Sequence, residues 1–393
     1  MHIKYVGSEE LGTTKINSNT KVVVLSGAVV VASTAIDDYP RLNSMYIDSI
    51  GYEIGRTLLY AYASHDIEIV GESGSIINGG GFGCRVDERA GAHPGLIRFV
   101  NCKNITLKNL ALVDSPCWAV QFMNCENIVV ENVSIVSKWG GCNNGIDLIS
   151  CKNVRINNCV LDTGDACVSI KTITELPCEN VLIENCIMSS EFSALKLGTE
   201  SVGDFRDIIF RNCTIRRAEC CAIEIVPTDG GSVDGLTVEN IDIKSATGPI
   251  FVANGTRNAS FISGITSKTQ SSISNVILKN IKADVHISES QLYGDGRGDC
   301  VFLSGTKNKK LKNLTIEDCT FKMPGGKVKD KAYVMQELKD EYPEYYILGV
   351  APASGIYVRH ADGVSLKNVT IEIKEDDNRK KVVFDDTINY VVE

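Results

Sequence analysis

One nine-residue unit recurs along the chain and decides what it can fold into. Cys102-Lys-Asn-Ile105-Thr-Leu107-Lys-Asn109-Leu110 returns as Cys125-Glu-Asn-Ile128-Val-Val130-Glu-Asn132-Val133. It returns again from Cys151 to Cys159 and from Cys178 to Cys186. Looser copies begin at Ile208, Leu236, Val276, Leu314 and Val364. Apolar residues alternate with polar ones inside each unit, the period of a strand with one buried face. The asparagine near its end recurs after 23, 26, 27, 27 and 28 residues, and then, with Asp318 in its place once, after 40, 38 and 50. These early periods are too short for a strand–helix–strand unit, which needs roughly 30 or more residues. The remaining solution is an all-β, single-domain, right-handed parallel β-helix. The asparagines suit its turns because they tolerate a left-handed backbone, and the longer periods carry loops.

Residues 1–60 show no clear repeat and read as an N-terminal cap with the first strands. Residues 61–393 form the solenoid, with a long loop insertion around 325–350. The charged, aromatic stretch Asp330–Tyr346 reads as a loop or short helix over one face.

A net charge of −9 and a pI near 5.3 argue against nucleic acid, which calls for basic patches. No apolar run reaches a membrane span, and the start lacks the pattern of a secretory signal, so the expectation is a cytoplasmic protein. Fifteen cysteines, an odd number, fall largely at one register of the repeat, where a free thiol acts as a small hydrophobe. No CxxC pair suggests zinc, and no phosphate loop or dinucleotide fingerprint appears, so no cofactor is expected. Oligomeric state is not readable.

Polar residues collect in four neighbouring coils: Trp139–Asp147, Asp162–Lys171, Ser193–Ser201 and Ala222–Gly231. A solenoid places function along one stacked face. Asp147, Asp165, Lys171, Lys196, Glu200, Glu224 and Asp229 are therefore expected to reach one groove. Trp118 and Trp139 could each stack on a sugar or pack at coil ends; Trp139, beside two glycines, is the better expected platform, and Arg359 or His360 is expected at the rim. Each has a plainer alternative: turn capping for Asp147 and Glu200, solvated strand ends for Lys171, Lys196 and Glu224, and a structural role for His360.

With Pro94–Cys102, Ser115-Pro-Cys-Trp118, Gly145-Ile-Asp147, Thr163-Gly-Asp165 and Ile170-Lys171, the chain resembles glycoside hydrolase family 28, the polygalacturonase and rhamnogalacturonase family. A divergent, bacterial-looking subgroup shares Ala194–Glu200, Tyr342-Pro-Glu344 and Gly355–His360. The resemblance implies inverting hydrolysis of an oligosaccharide, with Asp165 as general acid. It places Asn144 and Ala166 where the family has two further catalytic aspartates, Ser193 near the family histidine, and Glu224 and Val226 on its Arg-x-Lys pair.

The alanine is compatible with natural divergence or with an inactivating substitution. A glutamate at the arginine position favours a neutral sugar, while Lys171 or Lys196 could still meet a carboxylate, so the expected substrate is a pectin-type or neutral-sugar glycoside. An inverting pair stands roughly 6.5–9.5 Å apart, and positions two coils apart are about 9–10 Å apart. Asp165 with Glu224 is one such pair, with Asp147 and Glu200 as nearer partners. A non-catalytic carbohydrate-binding β-helix and a polysaccharide lyase using Lys196 are the other readings.

Overall fold

The computed structural model describes all residues except 43–45, 50, 52, 82–92, 140–141, 263–264, 266–268, 288–299, 327–336, 338–339 and 346–349. Cys84 and most of the 325–350 insertion thus lie outside the described residues. Nearly all strands join one parallel, coiled sheet, and no α-helix occurs among the described residues.

The repeat units are the strands expected of them. Ile105 stacks on Ile128, then Val154, Val181, Ile208, Leu236, Val276, Leu314 and Val364, one residue per coil. This inward column forms the core with Cys102, Cys125, Cys151 and Cys178 beside it. The fourteen described cysteines are all free and buried.

The turn asparagines behave as their chemistry requires. Asn109, Asn132, Asn158, Asn185, Asn212, Asn240, Asn280 and Asn368 all have φ between 48° and 56°, as does Asp318 at 56°. Their side chains also bond from coil to coil: Asn132 Nδ2 donates to Asn109 Oδ1 (3.0 Å) and Asn158 Nδ2 to Asn132 Oδ1 (2.6 Å). A second ladder through Asn104, Asn127, Asn153 and Asn180 runs at the other end of the same strands.

The first coils begin near residue 1. His2–Tyr5 pairs with Thr20–Val24, which pairs with His65–Gly71. Between the coil strands Val29–Ala32 and Thr57–Tyr62 the chain carries a hairpin, Tyr46–Ile47 with Glu53–Ile54, that lies against Trp118, Cys142 and Phe261. It thus crosses the outside of one sheet. On that sheet the outward residues at one register are Tyr60, Arg98, Gln121, Asp147, Ser169, Lys196, Glu224, Phe251, Phe302 and Tyr357. An outward column this polar at its middle, and buried there, marks the functional face.

Candidate active site

The site is a narrow pocket of about 40 Å³ over the strands Val168–Thr172 and Ser193–Ser201. Asn144, Asp165, Ala166, Lys171, Lys196 and Glu200 line it, with Trp118, Ser169, Asp48, Ser49 and Tyr342. Asp165 comes from the turn before one strand, and its Oδ1 accepts the Ala166 amide at 2.8 Å. Glu200 comes from an irregular stretch at the far end of the next strand, where the register slips between Ile170 and Thr172. The two carboxyls therefore enter from opposite ends of adjacent strands. Ser49 donates to Glu200 Oε1 through both its amide (3.2 Å) and its hydroxyl (3.1 Å).

Two buried lysines organise the charges. Lys171 Nζ lies 3.3 Å from Asp147 Oδ1 and 3.7 Å from Glu200 Oε1, and 3.5 Å above the Trp118 ring. Lys196 Nζ lies 2.9 Å from Glu344 Oε1 and 3.3 Å from Glu224 Oε2. Burial opposes both ammonium charges, but the facing carboxylates outweigh it and raise both lysine pKa values.

The carboxyls are driven apart. Burial pushes Asp165 up, against the pull of Lys196. Burial likewise brings Asp147 up to about 7 despite Lys171 and Asn144, and Glu344 up to about 8 despite Lys196. Glu200 is also buried, yet Lys171 and its hydrogen bonds hold it below the usual carboxylate range.

The expected residues are only partly brought together. Asp147 stands behind Lys171, where Asn144 Nδ2 donates to it at 2.7 Å. Glu224 does face outward but is fully buried, behind Lys196 and within 3.5 Å of Cys220 Sγ. Ser193 is buried outside the pocket lining. Asp229 is consumed by Arg257 in a two-pronged pair. Trp139 is not at the pocket: it is 46% exposed and its indole N–H bonds Asp114. Trp118 takes the wall position instead: it precedes the strand Val120–Met123, two coils from Lys171, and its ring lies 3.5 Å under the Lys171 ammonium. Arg359 lines a separate, water-sized cavity with Phe251 and Phe302 and donates to Ser304 Oγ at 3.0 Å. His360 is held between Asp386 and Glu337, each at 2.7 Å. Pro343 lines the Arg359 cavity and Tyr342 the pocket, so the two hollows share this stretch as a wall.

Asp48 and Ser49 were not legible as site residues, since they lie in the stretch without repeats. Ser169 was also missed, although it shares the register of Asp147 and Lys196, which could have found it.

The profile of glycosyl hydrolases family 28 matches residues 49–339, most of the chain and all four polar coils. The chain belongs to that family. A probable polygalacturonase of Vitis vinifera is 27% identical to this family 28 chain over 169 residues. That is 41% of the chain and 34% of the plant protein, so the match spans about a third of the relative's length. The fold matches that of the Yersinia enterocolitica family 28 exopolygalacturonase, with a TM-score of 0.69 at 14% identity, over 99% of this chain and 72% of that one. It also matches the hyperthermoactive exopolygalacturonase of Thermotoga maritima, with a TM-score of 0.66 at 18% identity, over 94% and 84% of the two chains.

Proposed function

We propose that this family 28 chain hydrolyses a glycosidic bond at the end of an oligosaccharide, inverting the anomeric centre, with Asp165 donating a proton and Glu200 orienting water. The observation that carries this reading is the pairing itself. Two carboxyls face one pocket from opposite sides, one favoured in its protonated form by burial and the other held ionised by Lys171 and Ser49. Environments that separate two carboxyl pKa values assign the acid and the base. Asp147 and Glu224 are weaker base candidates because each sits behind a lysine, away from the pocket lining.

A neutral sugar fits better than a uronate. Both lysines of the pocket lining are already engaged by protein carboxyls, leaving no lining cation among the described residues whose main partner would be a substrate carboxylate. End-on action is favoured by the walls: Asp48 and Ser49 close one side, and Tyr342, with Glu344 on Lys196, the other. About 40 Å³ accommodates only a few water molecules. Sugar entry therefore requires the Tyr342–Glu344 stretch to swing outward.

The lyase alternative loses support, since a lysine base must be neutral and both lysines are held protonated. The non-catalytic alternative keeps one observation in its favour: Asn144 and Ala166 line the pocket where the family has carboxylates.

Proton NMR of products from defined neutral and uronic oligosaccharides, with the natural chain and Ala166→Asp, tests these readings. The expected result is release of a terminal neutral sugar in the inverted anomeric form by the natural chain. Turnover by Ala166→Asp alone would mark Ala166 as an inactivating gap. An unsaturated product would mean a lyase, and binding without turnover by either form a carbohydrate-binding protein.

A further inference from the structure

A second concave site lies at the N-terminal end of the same sheet, outside everything assigned above. Its cleft of about 310 Å³ is lined by Lys15, Asn17, Pro40, Arg41, Tyr60 and Tyr62. That size falls at the lower end of small-ligand pockets. The Tyr60 and Tyr62 rings stack at 6.5 Å, and Tyr62 is 51% exposed. Tyr60 is buried beneath it, so Tyr62 alone offers a flat apolar face with a polar edge. Lys15 is exposed, and Arg41 reaches the rim with only a surface pair to Glu53 (2.7 Å, side chains 62% and 47% exposed). Surface pairs of this kind are weak and readily exchanged.

Here, then, two accessible cations flank an exposed aromatic ring, on a chain whose net charge is −9. The contrast with the catalytic pocket, whose lysines are buried and saturated, is complete. Lys15, Tyr60, Arg98, Gln121 and Asp147 are successive positions of one outward register. At about 4.8 Å per coil, Tyr60 stands about 14 Å from the position of Asp147. Tyr46 of the hairpin packs on Trp118 of an intervening coil, and the cleft shares no lining residue with the pocket, so it is a separate site and not an extension of the pocket.

We propose that this cleft is a non-catalytic binding site for an acidic glycan, with a pyranose ring stacked on Tyr62 and a uronate carboxylate held by Lys15 and Arg41. Such a site would keep the chain on an acidic polymer whose neutral terminal sugars enter the catalytic pocket. That link rests on the proposed hydrolase function; the binding itself does not.

Calorimetric titration of the full chain with a hexagalacturonide and with a neutral galactose hexamer tests the site. Binding of the hexagalacturonide is expected, weakening about tenfold or more in Tyr62→Ala and in Lys15→Ala/Arg41→Ala. Raised salt should weaken it, and Asp165→Asn should leave it unchanged. Lys15, Arg41 and Tyr62 are all exposed, so their substitution does not put folding at risk. No hexagalacturonide binding, equal affinity for the neutral hexamer, or loss in Asp165→Asn with retention in Tyr62→Ala would each overturn the proposal. Tyr62-dependent binding without turnover of any sugar would uphold this site and reject the hydrolase reading. Turnover together with binding insensitive to Tyr62 would do the reverse.

Discussion

Lys196 Nζ and Glu344 Oε1 lie 2.9 Å apart although 148 residues separate them in sequence. The pair ties the late insertion to the middle of the functional face, with Tyr342 packed over the same ammonium at 4.9 Å. Glu224 completes the cluster from the next coil.

Removing the cation should therefore be costly. Lys196→Met leaves two buried carboxyls without their partner, a loss of about 3–5 kcal/mol for a broken buried pair. Adding Glu224→Gln and Glu344→Gln should restore part of it. Denaturation midpoints of the single and triple variants check this, and equal midpoints would show that the pairs contribute nothing.

Stability should fall as pH rises. Unfolded carboxyls titrate near pH 4, whereas Asp147 is held up to about 7 and Glu344 to about 8. Between those values the folded chain binds protons that the unfolded chain has released, so its relative stability declines with rising pH. Asp147→Asn removes its share of the slope. Melting temperatures at pH 5 and pH 8 should differ less for that variant than for the natural chain.

The asparagine ladder should be worth more than its exposure suggests. Asn132→Ala forces a side chain with a Cβ and no local hydrogen bond into the left-handed region, at about 1–2 kcal/mol. Asn132→Gly relieves that strain but still loses the two ladder bonds to Asn109 and Asn158. Alanine should lower the denaturation midpoint more than glycine, and the reverse order would mean that backbone conformation is not what selects asparagine.

The solenoid was legible because each coil repeats one physical problem: bury one strand face, then turn. Ile105, Cys102 and Asn109 each have a counterpart one period on, and repetition made their roles visible. The pocket was half legible for the same reason. Asp165, Lys171, Lys196 and Glu200 sit on the coils and were found, whereas Asp48 and Ser49 reach the site from a segment with no period. Trp139 was misplaced because glycine neighbours signal a turn without saying which way it faces. Asp147 and Glu224 were correctly put on the outer face, but one sequence shows no burial by loops, and each proved to be covered. Lys196 and Glu344 were both noted in the sequence, yet nothing in their spacing said they meet.

Initial rates on the neutral oligosaccharide that the chain turns over fastest, compared among the natural chain, Asp165→Asn and Glu200→Gln, test the catalytic pairing most directly. Loss of a positioned acid or base typically lowers the rate about 10²–10⁴-fold. Each variant should fall by that much while still binding the sugar, because the pocket walls remain. Glu200→Gln turning over at the natural rate, or Asp165→Asn doing so, would contradict the assignment of acid and base.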